Sequence, residues 1–416
     1  MTPNTNRRVV ITGLGAITPL ANTAEETWQG LLAGRSGIGT ITAFDPSDLP
    51  CRVAGEIKNF DPKEHIDFKE ARRMSRISQI ALVTARQALQ DSGLEGPLGE
   101  QAGVLFGVGV GGIEWAIDSA RVFWEHGLRR VSPFSLPAFL ANMPSYYVST
   151  DVKALGPIST TVAACASGTQ AVGESAEFIR RGAADVMITG GAEALMLKLA
   201  IAGFSAMRAL TTGYNDEPER SSRPFDRDRD GFVFSEGCAV LILESLEHAQ
   251  ARGANILAEV LGHASSSDGY HIAQPDPEGR GAIRAMKWAL EDAGVEPGQV
   301  DYINAHGTGT EINDPTETKA IKDLFGEHAY SVAISSTKSM IGHCMGGAGA
   351  IEAMVCTQTI RDQMIHPTTN LDNPDPECDL DYVPWEARSA DVNVTLSNSF
   401  GLGGQNACLV IGKFEG

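Results

Sequence analysis

The sequence has no run of about 18 uninterrupted apolar residues, the length a helix needs to cross a bilayer, so no membrane span is expected. It has no C-x-x-C pair. Its seven cysteines are scattered and odd in number, which argues against a disulfide framework or a zinc ribbon and suits a reducing compartment. Basic residues are scarce: 33 Lys and Arg face 52 Asp and Glu, for a net charge of -19. Nucleic acid requires a basic surface, so no nucleic-acid partner is expected. No Pro/Gly/Ser-rich linker interrupts the chain. The opening Met1-Thr-Pro-Asn-Thr-Asn-Arg-Arg8 is polar and no apolar signal core follows it, so the expected location is the cytoplasm.

What the chain does have is length and core: 416 residues, 43% hydrophobic, enough for two or three domain-sized units. Short β-branched runs alternate with helical ones. Strands are expected at Arg8–Thr12, Ala102–Phe106, Gly156–Val162, Ala184–Thr189, Cys238–Leu243, Val300–Asn304, Val332–Ser335, Val392–Leu396 and Ala407–Ile411. Helices are expected at Arg76–Ser92, Gly168–Arg180, Gly281–Ala293, Asp314–Phe325 and Gly347–Arg361. This alternation predicts α/β layers around buried sheets. A helix ending at Asp91-Ser-Gly93 precedes one strand, and a helix ending at Asp292-Ala-Gly294 precedes another. That parallel hints at a duplicated βα unit. The halves are divided near Gly253, into 1–253 and 254–416, and the missing linker predicts that they pack tightly.

Two motifs invite other readings. Gly107-Val-Gly-Val-Gly-Gly112 fits a dinucleotide fingerprint after a strand. However, an aromatic helical run, Ile113–Trp124, follows where a second strand with an acidic end is needed. Asp226-Arg-Asp-Arg-Asp-Gly231 begins like a calcium loop, but Gly237 holds the position that requires a bidentate glutamate. A salt-bridged turn is expected there.

The most informative residue is Cys165, in Thr161-Val-Ala-Ala-Cys-Ala-Ser-Gly168, between a β-rich run and a helical one. A cysteine at a helix start meets backbone N–H groups and the helix dipole, which favour the reactive thiolate. Two histidines follow in Gly-flanked loops after strands: His306 in Asn304-Ala-His-Gly-Thr308, and His343 in Lys338-Ser-Met-Ile-Gly-His343. Together they supply a nucleophile and two imidazoles. The other six cysteines, and His65, His126 and His366, lie outside any motif and are read as structural or surface residues.

The whole chain resembles the beta-ketoacyl-[acyl-carrier-protein] synthases of the thiolase superfamily, nearest to synthase II and the type II polyketide ketosynthases. Six stretches carry the resemblance: Ala164–Gly168, Gly190-Gly-Ala-Glu193, Arg223–Gly231, Asn304–Thr308, Thr337–His343 and Asn398–Gly404. The resemblance implies a thiolase fold, two similar five-stranded halves in an αβαβα core, and a homodimer or a heterodimer with a related ketosynthase. It implies a decarboxylative Claisen condensation with malonyl thioester, in fatty-acid or polyketide synthesis. Substrates would ride on the phosphopantetheine of an acyl carrier protein, with no free cofactor.

By the same resemblance, Cys165 carries the acyl chain, and His306 and His343 hydrogen-bond the enolate. Lys338, together with Glu317, orients that pair. The N–H groups of Cys165 and Phe400 form the oxyanion hole, and glycines 401, 403 and 404 allow the backbone of that loop. Thr308 and Thr310 hold the pantetheine arm. Val110 and Ser135 wall the acyl tunnel, and Leu402 belongs to the gating loop. Asn304, Glu352 and Asn398 match a neighbourhood that holds a monovalent cation in relatives. An acidic carrier must dock on local positive charge, and Lys69, Arg72, Arg73, Arg129, Arg130 and Arg208 match the docking residues.

The chain departs from the fatty-acid pattern at Ser135, where an aromatic is common, and at Ala273-Gln274. It departs again at Gly309-Thr-Glu311 and at Leu402. A tunnel longer or wider than usual is expected from Ser135 and Val110. Two other readings compete. A non-catalytic chain-length partner would lack the active cysteine. A degradative thiolase would carry a second catalytic cysteine near the C-terminus in a C-x-G loop, whereas Cys408 lies in a strand pattern.

Overall fold

Ten strands order this molecule, described here from a computed structural model over residues 7–416. The polar lead Met1–Asn6 lies outside the described residues. The strands are β1 (Val9–Ile17), β2 (Ala102–Val108), β3 (Ile158–Thr161), β4 (Val186–Glu193), β5 (Gly237–Ser245), β6 (Ala258–Ser267), β7 (Tyr302–Asn304), β8 (Ala333–Ser335), β9 (Val394–Gly401) and β10 (Gln405–Gly412). The first five lie in the order β3-β2-β4-β5-β1, and the second five in the order β8-β7-β9-β10-β6. Each order is the other shifted by five.

Directions repeat as well. β2 runs parallel to β3 and β4, and β5 is antiparallel to β4 and β1. β7 runs parallel to β8 and β9, and β10 is antiparallel to β9 and β6. The duplication hinted at by two helix ends is therefore a property of the whole topology. The two arrays meet where Val10 and Ile11 of β1 pair with Glu259 and Ala258 of β6. Strand β6, whose second half Gly262–Ser267 is small and polar, is the one long strand absent from the sequence expectations.

Five helices complete the layers: α1 (Arg76–Ser92), α2 (Ser167–Arg180), α3 (Arg280–Ala293), α4 (Asn313–Phe325) and α5 (Ala348–Asp362). Outer helix α1 lies on β1 and β5, and α3 lies on the equivalent β6 and β10. Helices α2 and α5 touch each other and strands of both arrays, which makes them the middle of five layers. Small residues permit the outer contacts. A Cβ at Gly13 would lie 2.4 Å from the Ala88 carbonyl of α1, and one at Gly262 would lie 2.7 Å from the Ala289 carbonyl of α3. Both outer helices end on a left-handed glycine, Gly93 at φ 69° and Gly294 at φ 66°. Almost all of α5 is buried, as a middle-layer helix must be.

Candidate active site

Cys165 sits where β3 gives way to α2. Ala164 is held at a left-handed φ of 49°, and a single 3-10 turn, Ala164–Ala166, runs straight into the helix. The Ser167 hydroxyl fixes this turn: it accepts from the Ala163 N–H at 2.8 Å and donates to the Ala164 carbonyl at 2.7 Å. A non-glycine residue in that backbone region stores strain that its surroundings must hold. The thiol itself is buried, which alters one expectation. Burial pushes it up to about 11, while the Leu402 N–H and the charge of Lys338 act the other way. The resting group is a thiol and not the thiolate expected from the helix start, because desolvation outweighs the local dipoles.

His306 follows β7, and its backbone is clamped by Glu317 of α4. The carboxylate accepts the N–H groups of His306 and Gly307, both at 2.8 Å, and the Asn398 amide at 3.2 Å. Burial raises Glu317 to about 7. His343 is held by the segment before β5. Its N–H reaches the Val233 carbonyl at 2.8 Å, and the Phe232 ring meets its imidazole edge-on at 5.5 Å. The two imidazoles stand almost perpendicular, with centroids 5.4 Å apart, and the Phe400 ring lies 5.7 Å from His306. Nδ1 of His306 and both ring nitrogens of His343 are buried without a protein partner. Such atoms are rare, and here they belong to two residues that line the cavity holding Cys165. Burial and the nearby Lys338 push both imidazoles well below the ordinary histidine range, so both are neutral at physiological pH.

Lys338 does not pair with Glu317. Its ammonium is held by Glu352 of α5, a fully buried ion pair, and the second Glu352 oxygen accepts from Ser399 at 3.4 Å. The proposed cation neighbourhood is likewise committed elsewhere. Asn304 donates to Tyr302 and Thr337, and Asn398 donates to Glu317 and accepts from Cys408. Asn304 Oδ1 and the Ser397 hydroxyl are buried without partners. Glu352 faces the Lys338 ammonium, while these two oxygens, on residues paired across β7 and β9, keep their acceptor capacity free.

One cavity of about 870 Å³ gathers Cys165, His306, His343, Phe400, Thr308 and Thr310, with Leu402 and Arg208 also on its wall. Val110 and Ser135 are not on it. The Ser135 hydroxyl accepts from Ser119 and donates to the Ser132 carbonyl, both at 2.8 Å. Ser119 and Ser132 line a separate cavity of about 240 Å³ with Glu114 and Arg130. The expectation that Ser135 and Val110 wall the Cys165 cavity therefore fails within one chain. Val110 is exposed, and its N–H reaches the buried carboxyl of Glu193. Lys69, Arg72, Arg73, Arg129, Arg130 and Arg208 are all exposed, and none has an acidic partner among the described residues. Arg73 stacks over Phe134 at 4.7 Å.

Residues 6–249 match the family described as Beta-ketoacyl synthase, N-terminal domain, and residues 257–372 match Beta-ketoacyl synthase, C-terminal domain. The chain belongs to the beta-ketoacyl synthase family. It is 50% identical over 411 residues to the 3-oxoacyl-[acyl-carrier-protein] synthase 2 of Synechocystis sp., covering 98% of this chain and 99% of that one. The enzyme of the same name from Staphylococcus aureus is 50% identical over 412 residues, covering 99% of each. Among solved structures, the ishigamide ketosynthase/chain length factor superposes with a TM-score of 0.91 at 37% identity, covering 98% of this chain and all of that one. A type II polyketide ketosynthase in complex with its acyl-carrier protein gives 0.89 at 33% identity, with the same coverage. These neighbours place the αβαβα core among the ketosynthases.

The structure accounts for two parts of the quoted stretches, of which the first was given no role in the sequence. Glu193, in the quoted Gly-Gly-Ala-Glu stretch, is fully buried and accepts the Gly109 N–H at 2.9 Å. A Cβ at Gly109 would sit 2.2 Å from that carboxyl, and one at Gly346 would sit 2.2 Å from the Gly109 nitrogen. The glycine-rich motif thus serves close backbone approach and not a nucleotide. The second part is the Asp226–Gly231 turn. It is ion-paired, Arg223 to Asp226 at 3.1 Å and Arg229 to Asp375 at 2.5 Å, as expected for a salt-bridged turn.

Proposed function

We propose that this synthase elongates an acyl chain by decarboxylative Claisen condensation with malonyl-[acyl-carrier protein], through an acyl-enzyme on Cys165. The observation that carries this reading is the shared cavity of Cys165, His306 and His343, whose buried imidazole nitrogens have no protein partner. In the first half-reaction the Cys165 sulfur attacks the acyl thioester. Its proton passes to a neutral imidazole and then to the departing pantetheine thiolate. Coupling the two transfers avoids a free buried thiolate, in keeping with a thiol raised to about 11.

Malonyl thioester then enters and loses carbon dioxide, and the electrons of the broken bond become an enolate. Two neutral imidazole N–H donors stabilise that oxygen by several kcal/mol in a water-poor site. Lys338, anchored by Glu352, keeps both imidazoles neutral. The enolate carbon attacks the acyl carbonyl, and the N–H groups of Cys165 and Phe400 receive the tetrahedral oxyanion. Collapse expels the Cys165 sulfur, which takes up a proton from solvent by way of an imidazole to restore the thiol, and leaves a 3-oxoacyl thioester two carbons longer.

Thr308 and Thr310, on the cavity wall with hydroxyls 3.0 Å apart, hold the pantetheine arm, and no free cofactor takes part. The six unpaired cations dock the acidic carrier, and local positive charge is needed against a net -19. The N-terminal half, 1–253, contributes the nucleophile, and 254–416 contributes the histidines. No helix among the described residues is long and apolar enough to cross a membrane, which agrees with action in the cytoplasm.

A second copy covers the β3 edge. Among the described residues that strand has no partner on its outer side, and Leu155, Ile158 and Val162, in it or beside it in sequence, are exposed. A homodimer buries them. The alternative, a non-catalytic chain-length partner, is disfavoured by an intact nucleophile and both imidazoles. Intact-mass spectrometry after incubation with an acyl-carrier thioester tests the reading: a mass increase of one acyl group, lost in Cys165→Ala, is expected. No increase on the wild-type chain overturns it.

A further inference from the structure

The segment Asp226–Ser235 gives Asp230, Gly231 and Phe232 to the cavity lining and holds neighbouring segments at four points. Arg229, only 5% exposed at its side chain, donates through Nε to the Thr310 carbonyl at 3.0 Å and through Nη2 to the Glu311 carbonyl at 3.4 Å. Its Nη1 reaches the Asp226 carbonyl at 2.8 Å and Asp375 at 2.5 Å, which anchors the guanidinium from behind. The next residue holds a different segment. Asp230 accepts the Thr212 and Gly213 N–H groups at 2.9 and 2.8 Å, and the Thr211 hydroxyl as well. Gly231 then donates to the Gly309 carbonyl at 3.1 Å, and Val233 accepts from the His343 N–H at 2.8 Å.

Arg208, Thr212, Thr308 and Thr310 all line the cavity. Two adjacent side chains of one turn therefore hold two of its lining segments, Arg229 the one at Thr310 and Asp230 the one at Thr212. We propose that Arg229 and Asp230 are positioning residues that fix the spacing of the cavity mouth, and so set how well the enzyme grips a full-length pantetheine arm. This rests on the reading of Thr308 and Thr310 as arm contacts. Arg229 acts through the Thr310 carbonyl and does not touch the thioester. A planar fork is suited to this task because its donors diverge at fixed angles toward three carbonyls and one carboxylate. A lysine offers a single point charge. The burial of Gly231 adds to the precision of the turn: at φ 141° a Cβ there would lie 2.5 Å from the Leu210 carbonyl carbon.

The test compares acyl-pantetheine with acyl-N-acetylcysteamine, a thioester that lacks most of the arm, on the full-length enzyme. Arg229→Lys and Asp230→Asn are each expected to raise KM for acyl-pantetheine about tenfold, because small misplacements of positioning groups are costly. KM for the short thioester is expected to change less than about twofold, and kcat to hold on both. In a Thr310→Ala background, Arg229→Lys is expected to add little, since the contact it supports is gone. Circular dichroism and Tm verify that each variant is folded. Equal fractional losses on the two thioesters, or full additivity with Thr310→Ala, overturn the proposal and leave the condensing reading intact. A wild-type chain acylated at Cys165 by neither thioester overturns both.

Discussion

Lys338 and Glu352 form a fully buried ion pair behind the two imidazoles, while Glu317 clamps the His306 backbone on its own. Lys338→Ala leaves Glu352 buried without its cation, and breaking such a pair costs about 3–5 kcal/mol. It also removes a charge that lowers both histidines. Their titration then moves up toward the ordinary range, and the neutral, donating forms are lost at higher pH. The acid limb of malonyl decarboxylation against pH should therefore shift to higher pH in this variant. An unmoved acid limb would separate Lys338 from the electrostatics of the pair.

Cys165→Ala should abolish condensation and leave the fold intact, because the site tolerates a small side chain in an alanine-rich turn. Cys165→Gln should resemble the acyl-enzyme and release carbon dioxide from malonyl thioester without condensation. Product mass spectrometry and carbon dioxide release distinguish the two.

His306→Ala and His343→Ala should each still accept some acyl group on Cys165, yet lose about 100-fold or more in carbanion formation, the usual cost of one donor to a developing oxyanion. Intact mass reports the first half-reaction and carbon dioxide release the second. Normal decarboxylation in either variant removes that histidine from the mechanism.

Arg72→Glu combined with Arg73→Glu should raise KM for carrier-bound substrate and flatten its dependence on salt. Activity on acyl-pantetheine should hold. Equal losses on both substrates would mark the pair as structural.

Glu193 supplies a stability signature. Burial raises it to about 8 from an ordinary 4.5, against the N–H groups of Gly346, Gly109 and Val110. The folded chain keeps a proton that the unfolded chain has released in that window. Its contribution is complete below about pH 4.5 and is lost as pH rises through about 8. Thermal melts should show Tm falling further between about pH 6 and pH 9 in the wild type than in Glu193→Gln, whose amide does not titrate.

The sequence by itself determined the α/β class, eight of the ten strands as isolated runs plus the one entering Cys165, and the three motif residues, Cys165, His306 and His343, that meet in one cavity. Those are local properties: apolar periodicity, glycine at helix ends, and reactive residues in short Gly-flanked motifs. Three matters were decided only by the tertiary structure. Lys338 lies 14 residues from Glu352 in sequence and within reach of Glu317 in expectation, and only the α5 position selects the partner. The Cys165 thiol rose instead of falling, because burial is set by Leu402, Phe400 and α5 arriving from the far half, and desolvation then outweighs the helix start. Ser135 is absent from the lining of the Cys165 cavity, and its hydroxyl is bonded to Ser119 and Ser132, which line a separate one. Residue type is written in the chain, whereas solvent exclusion and partner choice belong to the space between distant segments.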